Sequence, residues 1–377
     1  MPDKSIYLDY AAATPIDPKV VEAMQPYFSD NFYNPSATYN AARQVHKYLE
    51  AARASVAHWL GSKTSEVFFT AGGSEANNLA IHGIMRQFSE ANIIVSSVEH
   101  DSVLAAAQRY DYREVAVKRD GTIDLIDLEN KIDENTVLVC VMYANNEIGT
   151  IQPIKDVSGI VAKKRSQRKD NKLPLYFHSD ACQVANYLDL GVARLGVDLM
   201  TINGGKVYGP KQSGALYVKG GIKLLPIVDG GSQERGLRSG TENVAGSIGF
   251  SVALDISQKI RREETNRLQA IQTEFIKLLE ANIPDAIING SRKRRLPNNV
   301  HVTFPGKDNE RLLIQLDEAG VQAAAGSACS ASSQEPSHVL KAIGLTDKEA
   351  QSSIRFTLGR QTTIEMIRRT VKILRNF

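Results

Sequence analysis

Lys206 sits among glycines in Asn203-Gly204-Gly205-Lys206-Val207-Tyr208-Gly209-Pro210, directly after an apolar run. An ordinary surface lysine gains nothing from that setting, whereas an amine held at a strand end suits Schiff-base chemistry. Cys329 lies in Ala324-Ala325-Gly326-Ser327-Ala328-Cys329-Ser330-Ala331-Ser332-Ser333, a run of tiny residues with little to pack. It reads as a loop carrying one thiol, a soft nucleophile for group transfer. Asp180 follows Leu175-Tyr176-Phe177-His178; a carboxylate at a buried strand end is costly unless it meets a cation, and a protonated ring nitrogen would be one. Gly72-Gly73-Ser74 stands between a strand and a helix start, which fits either a phosphate cradle or an ordinary turn with an N-cap serine. His100, in Val98-Glu99-His100-Asp101, reads as a ring that stacks on a flat cofactor or as a structural residue at a helix start. Asn145-Asn146-Glu147-Ile148-Gly149 and Arg355, in the middle of Ser353-Ile354-Arg355-Phe356, complete the polar set. A mid-strand arginine needs a partner, and its guanidinium fork matches a carboxylate.

The elements that must position these residues are legible as strand-length apolar runs separated by helical or loop segments. The runs are Val67–Thr70, Ile93–Ser96, Val137–Met142, Leu175–His178, Val197–Ile202 and Ala215–Val218. Their hydrophobicity is continuous rather than alternating, which predicts strands buried on both faces in a mainly parallel sheet covered by helices, an α/β fold. Ligand sites in such sheets lie just beyond strand ends, where Ser74, Asp180 and Lys206 fall. Near residue 255 the pattern changes. A long charged helix is expected over roughly Ala253 to Ala281, then short strands at Asn299–Phe304 and Ser353–Thr357, with helices at Glu310–Ala319 and from Thr363 onward. This predicts a large domain over 15–255 and a smaller α+β domain formed by 1–14 and 256–377.

Composition narrows the functional class. Hydrophobic residues at 42% and charged residues at 23% are ordinary for a globular protein with a core, and a net charge of +3 gives no bulk reason to expect nucleic acid or membrane binding. Two basic knots stand out, Lys163, Lys164, Arg165, Arg168, Lys169 and Lys172, and Arg292 to Arg295. They read as a solvated helix end and an exposed loop, or as a surface for an acidic partner or RNA. Three scattered cysteines, Cys140, Cys182 and Cys329, offer neither metal spacing nor a disulfide framework. Cys140, among valines, is expected in the core, and Cys182 as a small buried neighbour of Asp180. The N-terminal residues carry no basic-then-apolar leader and no apolar run reaches membrane-spanning length, so the cytoplasm is expected.

The chain resembles, nearly end to end, the pyridoxal-phosphate-dependent cysteine desulfurases of the NifS/IscS type within the class V aminotransferases. The resemblance is carried in order by Leu8-Asp9-Tyr10-Ala11-Ala12-Ala13-Thr14-Pro15, Asn145 to Gly149, Glu234-Arg235-Gly236-Leu237-Arg238-Ser239-Gly240-Thr241-Glu242-Asn243, Gly326-Ser327-Ala328-Cys329 and Ser353 to Phe356. It implies a fold-type-I architecture with a seven-stranded type of sheet, pyridoxal 5'-phosphate as cofactor, L-cysteine as substrate and a homodimer. It further implies that Lys206 holds the cofactor covalently and moves protons, that Asp180 pairs with the pyridine nitrogen, and that His100 stacks on the ring. Gln183 would bond the phenolic oxygen. Gly73, Ser74 and Asn203 would lie at the phosphate, joined by Thr241 of a neighbouring subunit. Asn146 and Arg355 would grip the substrate carboxylate. Cys329 would take the sulfur as a persulfide, leaving alanine, and pass it to an iron–sulfur scaffold, a tRNA-thiolation enzyme or another acceptor.

Some positions depart from that pattern. Asn203 and Gly205 stand where a serine and a histidine are usual, so weaker cofactor retention is expected; Asp229 and Ser232 replace a usual histidine and glycine without an evident reason. The sequence ends at Phe377 without the tail by which many relatives dock a scaffold. The alternatives are another enzyme on this scaffold, a selenocysteine lyase or an aminotransferase, and a cofactor-poor relative serving as a binding platform.

Overall fold

The computed structural model describes residues 5–168, 173–326 and 336–377; Cys329, Lys169 and Lys172 lie outside them. The described residues form twelve strands: β1 Ile6–Tyr7, β2 Val67–Thr70, β3 Asn92–Ser96, β4 Asp111–Val115, β5 Thr136–Cys140, β6 Tyr176–Asp180, β7 Leu199–Asn203, β8 Gly214–Val218, β9 Ile287–Asn289, β10 Asn299–Thr303, β11 Val321–Gln322 and β12 Ser353–Thr357. Seven of them make one sheet in the order β2-β8-β7-β6-β5-β3-β4. Neighbours from β7 through β4 are parallel, and β8 runs antiparallel to both β7 and β2. Val137, Leu138, Val139, Phe177 and Leu199 are fully buried, so helices cover both faces, as continuous apolar runs require. Each such side chain contributes roughly 1.5–3 kcal/mol of burial free energy.

The sheet holds one strand more than the apolar runs announce. β4, Asp-Tyr-Arg-Glu-Val, is polar and mostly exposed because it is the edge beside β3. An edge strand has one neighbour and tolerates charges that a central strand does not. The long helix also differs from expectation: it spans Val244–Asn282, with Asn243 accepting the Gly246 N–H at its start. Its first turns, Val244 to Ser251, are wholly buried, so they lack the polar face that makes a helix visible in sequence.

A second, three-stranded antiparallel sheet, β12-β10-β9, places Arg355 opposite His301, and β1 pairs in parallel with β11. The segment after β1 then reaches toward the large sheet, with Thr14 donating both N–H and hydroxyl to the Gly205 carbonyl. Of the two basic knots, Lys163, Arg165, Arg292, Lys293 and Arg294 are exposed, as a solvated helix end and loop would be, and Arg295 is buried. Arg165 binds Asp198 and the Leu175 carbonyl, Lys163 binds Glu129, and Arg295 is buried against the carbonyls of Ser291 and Asn289. Among the described residues, no helix is long and apolar enough to cross a membrane, and no cluster of three or more His, Cys, Asp or Glu could hold a metal ion.

Candidate active site

Four parallel strands deliver the site from their carboxyl ends. His100 lies beyond β3, Asn146 beyond β5, Asp180 at the end of β6, and Lys206 beyond β7. Together with Arg355 from β12 and the start of the helix Gly73–Met85, they line one cavity of about 220 Å³. Its wall also includes Ala11, Ala12, Ser74, Asn77, Met142, Ala144, Cys182, Gln183 and Asn203.

Local structure explains each placement. Gly72 has φ of 113°, a conformation that disfavours a side chain, and it turns β2 sharply into the following helix. A Cβ on Gly73 would lie 2.6 Å from the Cys182 sulfur, so the absence of a side chain there keeps the helix start close to β6. The first-turn N–H groups of that helix point outward unpaired by the helix itself, an anion site by construction. Asp180 is only 6% exposed; its Oδ2 accepts from Asn77 (2.7 Å) and its Oδ1 from the Cys182 N–H (2.9 Å). Asn203 ends β7 and its Oδ1 accepts the Gly205 N–H at 2.9 Å. The Lys206 backbone is fixed by Asn186 donating to its carbonyl, and the amine donates to the carbonyls of Ala11 (2.7 Å) and Ala12 (2.6 Å). Gln183 donates to the Ala11 carbonyl as well, at 3.1 Å.

His100 caps the next helix: its Nδ1 accepts the Ser102 N–H at 3.1 Å, which leaves the ring proton on Nε2 in the neutral form. Arg355 is 1% exposed and donates to the Asn146 carbonyl (3.1 Å) and to Asp9 (2.7 Å), while its Nε has no partner among the described residues. Burial, reinforced by the Asp180 charge, pushes the Glu99 carboxyl up to about 8, so it keeps its proton at neutral pH. Burial lowers His178, beneath Asp180 on β6, to about 4. Burial and the nearby Asp180 raise the Cys182 thiol well above its usual range, so it stays a neutral neighbour; Cys140 is fully buried, as expected of a core residue.

These groups fit pyridoxal phosphate by their chemistry. The cavity holds, in one place, a glycine-opened helix start for a phosphate, a buried carboxylate for a protonated ring nitrogen, an amine for an aldehyde, and the guanidinium of Arg355 for a substrate carboxylate. Lys206, Asp180, His100, Gln183, Gly73, Ser74, Asn203, Asn146 and Arg355 are thus brought together. Thr241 is not among them; it lines a separate depression with Tyr27, Phe28, Phe32 and Tyr33. Sequence reasoning did not single out Asn77, Ser102, Met142 or the carbonyls of Ala11 and Ala12. Asn77 had a signal, since it lies three residues after Ser74 on one helix face.

Residues 6–369 match the aminotransferase class-V family, and the chain belongs to it. It is 42% identical to cysteine desulfurase IscS of Dictyoglomus turgidum, over 98% of this chain and 94% of that one. A solved NifS-like protein superposes with a TM-score of 0.91 at 31% identity, covering 99% of this chain and 98% of its own. The structure of SspA in complex with cysteine is 35% identical with a TM-score of 0.81, covering 94% and 99%. Within the family the chain falls among the cysteine desulfurases, which are pyridoxal-phosphate enzymes.

Proposed function

We propose that this desulfurase loads the sulfur of L-cysteine onto Cys329 as a persulfide and releases L-alanine. The reading is carried by the single cavity that gathers Lys206, Asp180, His100, Asn146 and Arg355. When bound, pyridoxal phosphate supplies the electron sink that makes the substrate Cα–H acidic. Asp180 would keep the pyridine nitrogen protonated, while Ser74, Gly73 and Asn203 would hold the phosphate. Gln183 would donate to the phenolic oxygen. His100 would lie against the ring, and Arg355 and Asn146 would orient the substrate carboxylate. Lys206 would hold the cofactor and serve as the base that takes the substrate Cα proton. The Cys329 thiolate then attacks the substrate sulfur. An S–S bond forms as the Cβ–S bond breaks, the electron pair left on Cβ takes up a proton from Lys206 or His100, and return of a proton from Lys206 to Cα completes alanine.

The persulfide sulfur is passed on to an acceptor, an iron–sulfur scaffold or a tRNA-thiolation enzyme in the cytoplasm. The working unit is a homodimer in which Thr241 serves the phosphate of the neighbouring subunit. Its position beside the exposed aromatic residues Phe28 (60%) and Phe32 (64%), away from the cavity of its own chain, supports that arrangement. Residues 15–255 form the cofactor-binding domain, and 1–14 with 256–377 the smaller one, a division supported by the separate seven- and three-stranded sheets. The test is the formation of alanine and sulfide from L-cysteine with a reductant, beside Lys206→Ala and Cys329→Ala. Both variants should lose the activity; turnover that survives Cys329→Ala rejects the persulfide route.

A further inference from the structure

Glu147 is 2% exposed and sits one residue from Asn146 in the loop after β5. A buried carboxylate is expensive, and replacing one by an apolar residue of similar shape is often neutral or stabilising. Here the cost is only partly offset. Oε2 accepts the Ser337 hydroxyl at 2.8 Å, but Oε1 has no hydrogen-bond partner among the described residues, and the His301 Nε2 lies 3.9 Å from it. Burial raises the Glu147 carboxyl, opposed by the Ser337 hydrogen bond and the Arg355 and His338 charges and assisted by Asp101. Burial lowers His301 to about 3, so the imidazole offers no charge in return.

What the carboxylate does have is contact with two places far apart in sequence. Ser337 is one. The other is Gly326, where a Cβ would stand 3.3 Å from Oε1, 3.5 Å from Cδ and 3.7 Å from Oε2. Gly326 and Ser337 bracket the sequence stretch that contains Cys329. Glu147 itself is held rigidly: Asn145 Oδ1 accepts its N–H and that of Ile148, and Asn299 donates to its carbonyl. The same frame positions the substrate-carboxylate end of the cavity, since Arg355 donates to the Asn146 carbonyl and pairs through its backbone with Ala324, just before Gly326. On the far flank, His338 Nε2 bonds the Glu99 carbonyl, next to His100.

We propose that Glu147 is a positioning residue that registers both flanks of the Cys329-bearing stretch to the site that grips the substrate carboxylate. The proposal rests on Cys329 being the sulfur acceptor. Glu147 touches neither substrate nor cofactor; it fixes where the thiol-bearing stretch is anchored relative to them.

The holoenzyme is compared with Glu147→Met, Ser337→Ala, Ser337→Thr and Gly326→Ala. The readouts are kcat and KM for alanine formation, thermal unfolding, and the absorbance change of the cofactor on adding cysteine in a Cys329→Ala background, which reports substrate binding alone. Ser337→Ala removes one hydrogen bond to the carboxyl and should lower kcat about five- to tenfold with KM unchanged, Ser337→Thr restoring it. Gly326→Ala presses a Cβ to 3.3 Å from Oε1, so the carboxylate must give by about a few tenths of an ångström, and kcat should fall by about twofold or more. Glu147→Met should lose kcat while keeping or raising thermal stability, and adding Ser337→Ala to it should cost nothing further. Wild-type turnover in Glu147→Met, or additive losses in the double variant, overturns the proposal. So does a loss confined to cysteine binding or to thermal stability. If Glu147→Met does not fold, Ser337→Ala and Gly326→Ala decide alone. Should Cys329→Ala itself keep turning over, the persulfide reading fails first. With Cys329→Ala dead and the flank variants unaffected, only the role of Glu147 fails.

Discussion

Placing a histidine beside Lys206, the proposed cofactor-holding lysine, should tighten the hold on pyridoxal phosphate. Gly205 is buried and carries no side chain; a Cβ would stand 3.4 Å from Asn203 Oδ1 and 3.7 Å from Lys211 Cγ, both ordinary contacts. Its backbone is already fixed, with the N–H donated to Asn203 and the carbonyl accepting from Thr14, so Gly205→His need not disturb the loop. The amide of Asn203 is oriented by the same bond, its carbonyl turned to Gly205, with Nδ2 at 3.4 Å from where a Cβ on Gly73 would be. That leaves the amide N–H groups for the phosphate end and nothing from residue 205. A hydrogen bond to a charged group is worth roughly 1.5–3 kcal/mol, and each 1.4 kcal/mol is about tenfold in affinity. Lys211 beside it is exposed, so the lower end applies and the gain should be about tenfold. Apoenzyme titrated with pyridoxal phosphate, followed by absorbance, gives the Kd directly. Gly205→His should lower it, Gly205→Ala should leave it in place, and Asn203→Ala should raise it by a similar factor. An unchanged Kd in Gly205→His, or a wild-type protein that retains its cofactor through dialysis as well as the histidine variant, refutes the reasoning.

Lys206→Ala should reduce alanine formation by at least about a hundredfold and abolish covalent cofactor attachment, measured by borohydride trapping and mass spectrometry. Arg355→Lys cannot serve the Asn146 carbonyl, Asp9 and a carboxylate together, so KM for cysteine should rise about tenfold or more, read from initial rates. Glu234→Ala takes from the buried Arg53 guanidinium its bidentate partner at 2.7 and 2.8 Å, leaving it Glu50 and the Val67 carbonyl, and removes the acceptor of the Phe69 N–H; a loss of about 3 kcal/mol in unfolding free energy is expected from denaturant titration. Glu99 holds its proton more tightly folded, at about 8, than unfolded. Its contribution to stability is therefore complete below the ordinary carboxyl range and is lost as pH rises through about 8; Glu99→Gln should flatten that decline in Tm between about pH 5 and 9, and an unchanged slope refutes it.

The sequence spoke clearly where chemistry and burial coincide. β3, β5 and β7 are buried and apolar through most of their length, as is the start of β6, and polar groups at or beyond their ends stand out against that background. Asp180, Lys206 and His100 were legible for that reason. β4 was not, because an edge strand of charged residues has the pattern of a loop. The acceptors of the Lys206 amine were also hidden. They are backbone carbonyls of alanines, 195 and 194 positions away, and a carbonyl has no signature in residue type. The partner of Arg355 was hidden differently: Asp9 belongs to a quoted motif, yet only the register of β12 beside the N-terminal segment brings the two together.

That N-terminal segment explains how two sheets share one site. Asp9 holds Arg355 at the substrate end, Ala11 and Ala12 accept from Gln183 and Lys206 in the middle, and Thr14 fixes Gly205 beside the phosphate end. Tyr208 N–H in turn donates to the Thr14 hydroxyl, so the loop carrying the lysine and the segment facing it constrain each other. The same short stretch thus sets the spacing between Arg355, the proposed carboxylate grip, and the Lys206 amine. In the proposed role, a cofactor held at Lys206 would draw the amine from the Ala11 and Ala12 carbonyls, while the bonds of Asp9 and Thr14 would not need to change. Cofactor loading would then be a local exchange at one amine within a frame that is already built.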